Sequence, residues 1–98
     1  MKNLYLFCSA GMSSSIIAKK MQDLCDSKLF DIKILYFPES KIDEKAIEAD
    51  LILLSPQIRY RETEIKKNYP NKPYYIIDML DYGMMKADNI LAKCLILV

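Results

Sequence analysis

The sequence contains no histidine, and that absence alone removes a large part of protein chemistry. A His nucleophile, a Cys–His dyad, a Ser–His–Asp triad and most zinc sites are all excluded. Cysteine is sparse: Cys8, Cys25 and Cys94 are widely spaced and odd in number, with no Cys-x-x-Cys pair. Such spacing supplies neither a metal-ligand set nor a disulfide framework, so a reducing cytoplasm is the simplest setting. Neither sign of charge is in excess, because 14 basic and 13 acidic residues leave a net charge of +1. There is therefore no electrostatic case for nucleic acid or an anionic membrane as a partner. No apolar run approaches the ~20 residues that span a bilayer, so direct membrane insertion is not expected. Met1-Lys2-Asn3 leads straight into an apolar segment, unlike a secretory leader. Repeats, linkers and low-complexity stretches are also missing. The 98 residues are expected to make one domain, 1–98, and their 52% hydrophobic and 28% charged content separates the chain from disordered sequences.

What is present is organised around Phe7-Cys8-Ser9-Ala10-Gly11-Met12-Ser13-Ser14-Ser15. The apolar run Leu4-Tyr5-Leu6-Phe7 before it reads as a short buried strand. Ile16, Ile17, Met21 and Leu24 after it fall at helical spacing, predicting a helix from about Ser13 or Ser14 to Asp26. A cysteine thus stands where a strand ends, and small uncharged residues carry the chain into a helix. Unpaired N–H groups at a helix start, with the helix dipole behind them, make an anion site. The same field favours a nearby thiolate over its thiol, and the thiolate is the nucleophilic form. Nucleophilic sulfur in a phosphate-sized cradle is equipped to accept a phosphoryl group. A cysteine ending a strand also fits as a small core residue, and serines before a helix also fit as a cap.

The rest of the chain alternates. Phe30–Phe37 reads as a second strand ended by Pro38, followed by a short helical stretch over Ser40–Glu48. Ala49–Leu54 reads as a third strand, Ser55-Pro56-Gln57 as a loop, and Ile58–Tyr69 as a helix ended by Pro70. Tyr74–Ile77 reads as a fourth strand, Asp78–Gly83 as a loop and Met84–Val98 as a final helix. Strand and helix in alternation imply an α/β fold: a parallel sheet with helices on both faces. Sites in such sheets lie past the carboxyl ends of the strands, at a topological switch point. The loops Cys8–Ser15, Pro38–Ser40, Ser55–Ile58 and Asp78–Gly83 should gather there, which favours a functional role for Cys8. Cys25 reads as packed. Arg59 and Arg61 read as solvent-facing with glutamates nearby, more than as phosphate contacts.

These residues resemble a known family. Leu4 to Ser15 is similar to the start of the enzyme IIB component of the lactose/cellobiose (chitobiose) class of phosphotransferase sugar transport systems. Asp50 to Ile58 resembles that family's apolar strand and its Gly-Pro-Gln-Ile-like loop, with Ser55 where Gly is usual. Asn71-Lys72-Pro73 to Asp78, with Tyr82-Gly83, resembles its closing segment. Ser14 stands where Thr is common. The resemblance implies a four-stranded parallel sheet in the order 2-1-3-4, with a phosphate-binding cysteine loop after the first strand. It also implies a job. A IIA partner passes a phosphoryl group from phosphohistidine to the cysteine matching Cys8, and IIB hands it to a sugar carried by the membrane IIC component. Ser9, Ala10, Gly11, Met12, Ser13, Ser14 and Ser15 would cradle the phosphate, and Pro56, Gln57 and Tyr82 would line the site. No cofactor or metal is required.

The residues also weigh against a hydrolase. Low-molecular-weight tyrosine phosphatases have a similar cysteine loop with an Arg six residues after the cysteine, where this chain has Ser14. Without that clamp, and without a fixed Asp general acid, a thiophosphate should persist. An arsenate-reductase-like enzyme would need a second thiol near Cys8, whereas Cys25 is expected about 25 Å away along the helix.

Overall fold

The computed structural model describes residues 1–9 and 11–98, with Gly11 and Met12 described by backbone alone. The elements are β1 (Lys2–Cys8), α1 (Gly11–Ser27), β2 (Ile32–Pro38), α2 (Ile42–Lys45), β3 (Leu51–Leu54), α3 (Glu62–Asn68), β4 (Tyr74–Ile76), α4 (Met79–Gly83) and α5 (Ala87–Leu97). Short 3₁₀ turns flank α2, and a longer one over Pro56–Arg61 precedes α3. The sheet order is β2-β1-β3-β4, and every ladder is parallel, as expected.

Alternation along the central strand divides the core into two layers. Leu4 and Leu6 pack with Leu51 and Leu53 under α1 and α5, where Ile17, Met21, Cys25, Ile90 and Cys94 complete the layer. Tyr5 and Phe7 pack with Ile52 and Leu54 on the opposite face, against Ile42, Ile58 and Ile65. The chain moves one way from β1 to β2 and then back across β1 to β3. Right-handed crossovers require the helices to change face at that reversal. The switch point therefore lies between the carboxyl ends of β1 and β3. At the outer edge of β2, the Gln22 carboxamide on α1 donates to Ile32 O at 2.9 Å and accepts from the Ile34 N–H at 2.7 Å.

Several boundaries differ from the sequence-based expectation. Helix α1 begins at Gly11, so Ser13, Ser14 and Ser15 lie within its first turns and not in a loop before it. Strand β3 omits Ala49 and Asp50, because the Asp50 carboxylate turns back to accept from the Asn3 N–H at 2.7 Å. The single helix expected from Ile58 is broken at that residue (φ −114°, ψ 24°), which is buried in the core. Asp78–Gly83 is not a loop: the Asp78 carboxylate accepts from the Leu80 and Asp81 N–H groups and caps α4. The final helix, expected from Met84, begins instead at Ala87, after Met85 at φ 50°.

Burial in the α1–α5 layer, with Cys25 nearby, pushes the Cys94 thiol from the usual 9.0 up to about 12. The native state then keeps a proton that the unfolded chain sheds. Stability contributed by the neutral thiol is complete below pH ~9 and is lost as pH rises toward ~12, at about 1.4 kcal/mol per pH unit. Urea unfolding across this window should show the Cys94→Ala variant losing stability less steeply than the parent, by about one proton's worth. Parallel slopes would place the alkaline sensitivity elsewhere.

Candidate functional site

Strand β1 delivers Cys8 to its carboxyl end at the centre of the sheet, opposite Pro38 of β2. The residue is only 1% exposed, and its thiol donates a weak bond to Phe37 O at 3.7 Å. Helix α1 starts at Gly11 on the same side of the sheet as Leu4 and Leu6, and its first turn contains no acidic residue. The partial positive charge at that amino end is therefore not neutralised by a side chain of that turn. This arrangement of sulfur and helix start can attract an anion and stabilise negative charge.

The expected cradle residues are not equivalent. Ser9 and Ser13 are exposed and Ser15 is half-buried. Ala10 lies outside the described residues, as do the side chains of Gly11 and Met12. Ser14 is fully buried, and its hydroxyl lies 2.8 Å from the hydroxyl of buried Tyr82. That bond ties the first turn of α1 to α4. Pro56, Gln57 and Tyr82 come together as well: with Met79 and Gly83 they line a shallow groove of about 250 Å³. A larger groove of about 490 Å³, lined by Lys20, Asp23, Leu24, Met85, Ala87 and Asp88, contains none of the expected site residues.

Groups with a competing role are engaged elsewhere. The Asp78 carboxylate caps α4. Asp81 is nearly buried and accepts from Lys93 Nζ at 3.3 Å and Asn89 Nδ2 at 3.5 Å. Arg61 binds Glu39 and Glu64, each at 2.9 Å, as the glutamate-partnered reading expected, but it is half-buried, and of the two arginines only Arg59 faces solvent. The hydroxyl of Tyr60, ahead of Arg61, helps to hold the Glu39 carboxyl below its ordinary range. Cys25 and Cys94 are fully buried, and burial raises both thiols.

Two features were missed in the sequence. The Ser14–Tyr82 bond spans 68 residues and has no local signature. Ser55, the first residue after β3, is fully buried with a hydroxyl that has no hydrogen-bond partner, while its N–H donates to Phe7 O at 3.0 Å. Its departure from the usual Gly was the one available signal.

The sequence model of the family described as "PTS system, Lactose/Cellobiose specific IIB subunit" matches residues 3–93. The chain is 34% identical to the galactose-specific EIIB component of Lactococcus lactis subsp. cremoris, covering 93% of this chain and 91% of that one. The cellobiose-specific EIIB component of Lactococcus lactis subsp. lactis matches with the same identity and coverage. The oligo-beta-mannoside-specific EIIB component of Bacillus subtilis is 34% identical over 86% of this chain and 84% of its own. Among solved structures, the cellobiose-specific IIB component of Borrelia burgdorferi superposes with a TM-score of 0.74 at 30% identity, covering 93% of this chain and 85% of that one. The lactose-specific IIB domain of Streptococcus pneumoniae gives 0.82 at 16% identity, covering 98% and 96%, which is a likeness of fold.

Replacing Tyr82 with Phe leaves the Ser14 hydroxyl buried without a partner, at a cost of about 1–3 kcal/mol. Urea unfolding should show Tyr82→Phe destabilised by that order. The double variant Ser14→Ala/Tyr82→Phe should recover part of the loss, since neither buried group is then left unpaired. Additive losses would mean that the two hydroxyls do not depend on each other.

Proposed function

This chain belongs to the lactose/cellobiose-specific IIB subunit family of the phosphotransferase system, and we propose that Cys8 is the residue through which it relays a phosphoryl group. In the first transfer the Cys8 thiolate attacks the phosphorus of a phosphohistidine on the IIA protein. The N–P bond breaks with its electron pair returning to the imidazole, and an S–P bond forms. In the second, a hydroxyl of the sugar held by the membrane IIC component attacks the phosphorus. The S–P electron pair returns to sulfur as the thiolate leaves, and the hydroxyl proton passes to water. The sugar is of the cellobiose, chitobiose or lactose type, selected where it is bound, in IIC. The two Lactococcus relatives bear different sugar names at equal identity, so overall identity does not choose among them.

The observation that carries this reading is Cys8 at the end of the central strand, at the switch point, directly ahead of a helix start with no acid in its first turn. An incoming phosphoryl group of about −2 charge is favoured by such a field. A phosphatase or arsenate-reductase-like reading receives no comparable support. Ser14 holds the position of the clamping Arg and is bonded to Tyr82, while Asp78 and Asp81 are committed to a cap and to Lys93. The remaining thiols are buried in the core layer and unsuited to resolving an adduct on Cys8. Because Cys8 is itself covered, uncovering of the sulfur is part of each transfer. Among the described residues no helix is long and apolar enough to cross a membrane, which suits a carrier that meets IIC from the cytoplasm.

Intact-mass spectrometry after incubation with phosphoenolpyruvate, the general phosphotransferase proteins and an active IIA should show one added phosphoryl group, dependent on IIA and mapped to Cys8. The Cys8→Ser variant should fold and bind IIA, yet stay unmodified. A phosphoryl group on Cys8→Ser, or on another residue of the parent chain, would overturn the assignment.

A further inference from the structure

Among the described residues, the Ser55 hydroxyl is the one buried side-chain oxygen or nitrogen without a hydrogen-bond partner. Such a group is a net cost to the fold. Serine ahead of a helix ordinarily spends its hydroxyl on the helix start, but Ser55 makes no side-chain cap bond. Its backbone remains extended at φ −67°, ψ 156°, so the alternation of β3 continues through it. The β1–β3 register pairs Leu4 with Leu51, Leu6 with Leu53 and Phe7 with Leu54, so the next pair is Cys8 beside Ser55. Leu4, Leu6, Leu51 and Leu53 all face the α1 layer. Cys8 and Ser55 therefore project to that same face, from strands about 4.8 Å apart. The bond from the Ser55 N–H to Phe7 O holds the spacing. Ser14, the other fully buried serine, is already committed to Tyr82.

We infer that the Ser55 hydroxyl is held in reserve as a hydrogen-bond donor to a phosphoryl oxygen carried on Cys8. The inference rests on the relay reading of Cys8, since it supplies the acceptor that the unloaded protein lacks. A donor already buried and already without water loses nothing further when the anion arrives, so the whole bond contributes to retention of the phosphoryl group. The side chain touches the transferred group and not merely its surroundings.

The test compares the parent chain with Ser55→Ala, each mixed with phospho-IIA and brought to equilibrium, with the loaded fraction read by intact mass. The unloaded proteins are compared by thermal unfolding. Ser55→Ala should still load on Cys8, with an equilibrium constant about tenfold lower. Its ³¹P phosphocysteine resonance should shift, and its unfolding midpoint should rise or hold, because an unpaired buried hydroxyl has been removed. Equal loading constants and an unshifted resonance would overturn the role of Ser55 while leaving the relay intact. A lowered midpoint would overturn it too, by showing that the hydroxyl has a partner in the unloaded protein. If the parent chain takes no phosphoryl group from an IIA shown to be active, the relay reading fails and the inference fails with it.

Discussion

Strand β1 is hydrogen-bonded on both sides, to β2 along its whole length and to β3 from Leu4 to Phe7, with helices covering both of its faces. Strand β3 is also paired on both sides, but β1 has the longest ladder in the sheet, and the location of Cys8 is a consequence of it. Leu4, Leu6 and Phe7 have no exposed surface at all, so β1 cannot slip by one residue without exchanging its two apolar layers. The register that fixes those layers also sets Cys8 opposite Pro38 of β2 and, one step beyond the Phe7–Leu54 pair, beside Ser55.

The rim of the sheet is built outward from that centre by polar contacts. The Ser14–Tyr82 pair fastens the first turn of α1 to α4. Asp78 starts α4, and Asp81 reaches across to Lys93 on α5. Of these, only the Ser14–Tyr82 bond joins elements distant in sequence, and through it the first turn of α1 is braced by α4. The braced helix start and the covered thiol belong together. A cradle for an anion has to be held open against its own N–H groups, and rigid neighbours meet that requirement better than a free loop.

Strand existence was legible because a parallel sheet buried on both faces writes itself as short continuous apolar runs, whereas the strand order was implied only by the family resemblance. The passage from a strand ending at Cys8 to a helix was legible for a different reason, its run of small residues, although the helix starts earlier than that run suggested. What could not be read were the places where one side chain decides the local backbone. Asp78 converts an expected loop into α4 by capping it, and Met85 in the left-handed region delays the start of the final helix to Ala87. Pro56 and buried Ile58 make a tight turn where helical periodicity suggested regular α-helix. The placement of Ser55 one register step beyond the Phe7–Leu54 pair depends on the alignment of two strands, which no window of sequence contains.

Gln22 has an effect well away from the site. Its amide occupies the outward-facing Ile32 carbonyl and Ile34 N–H, the positions that an added strand would have to use on β2. Unpaired sheet edges invite association with other chains. Here one edge is occupied by a side chain from the protein's own helix, while the opposite edge, β4, is only three residues long. Both margins of the sheet therefore offer little backbone for another chain to pair with.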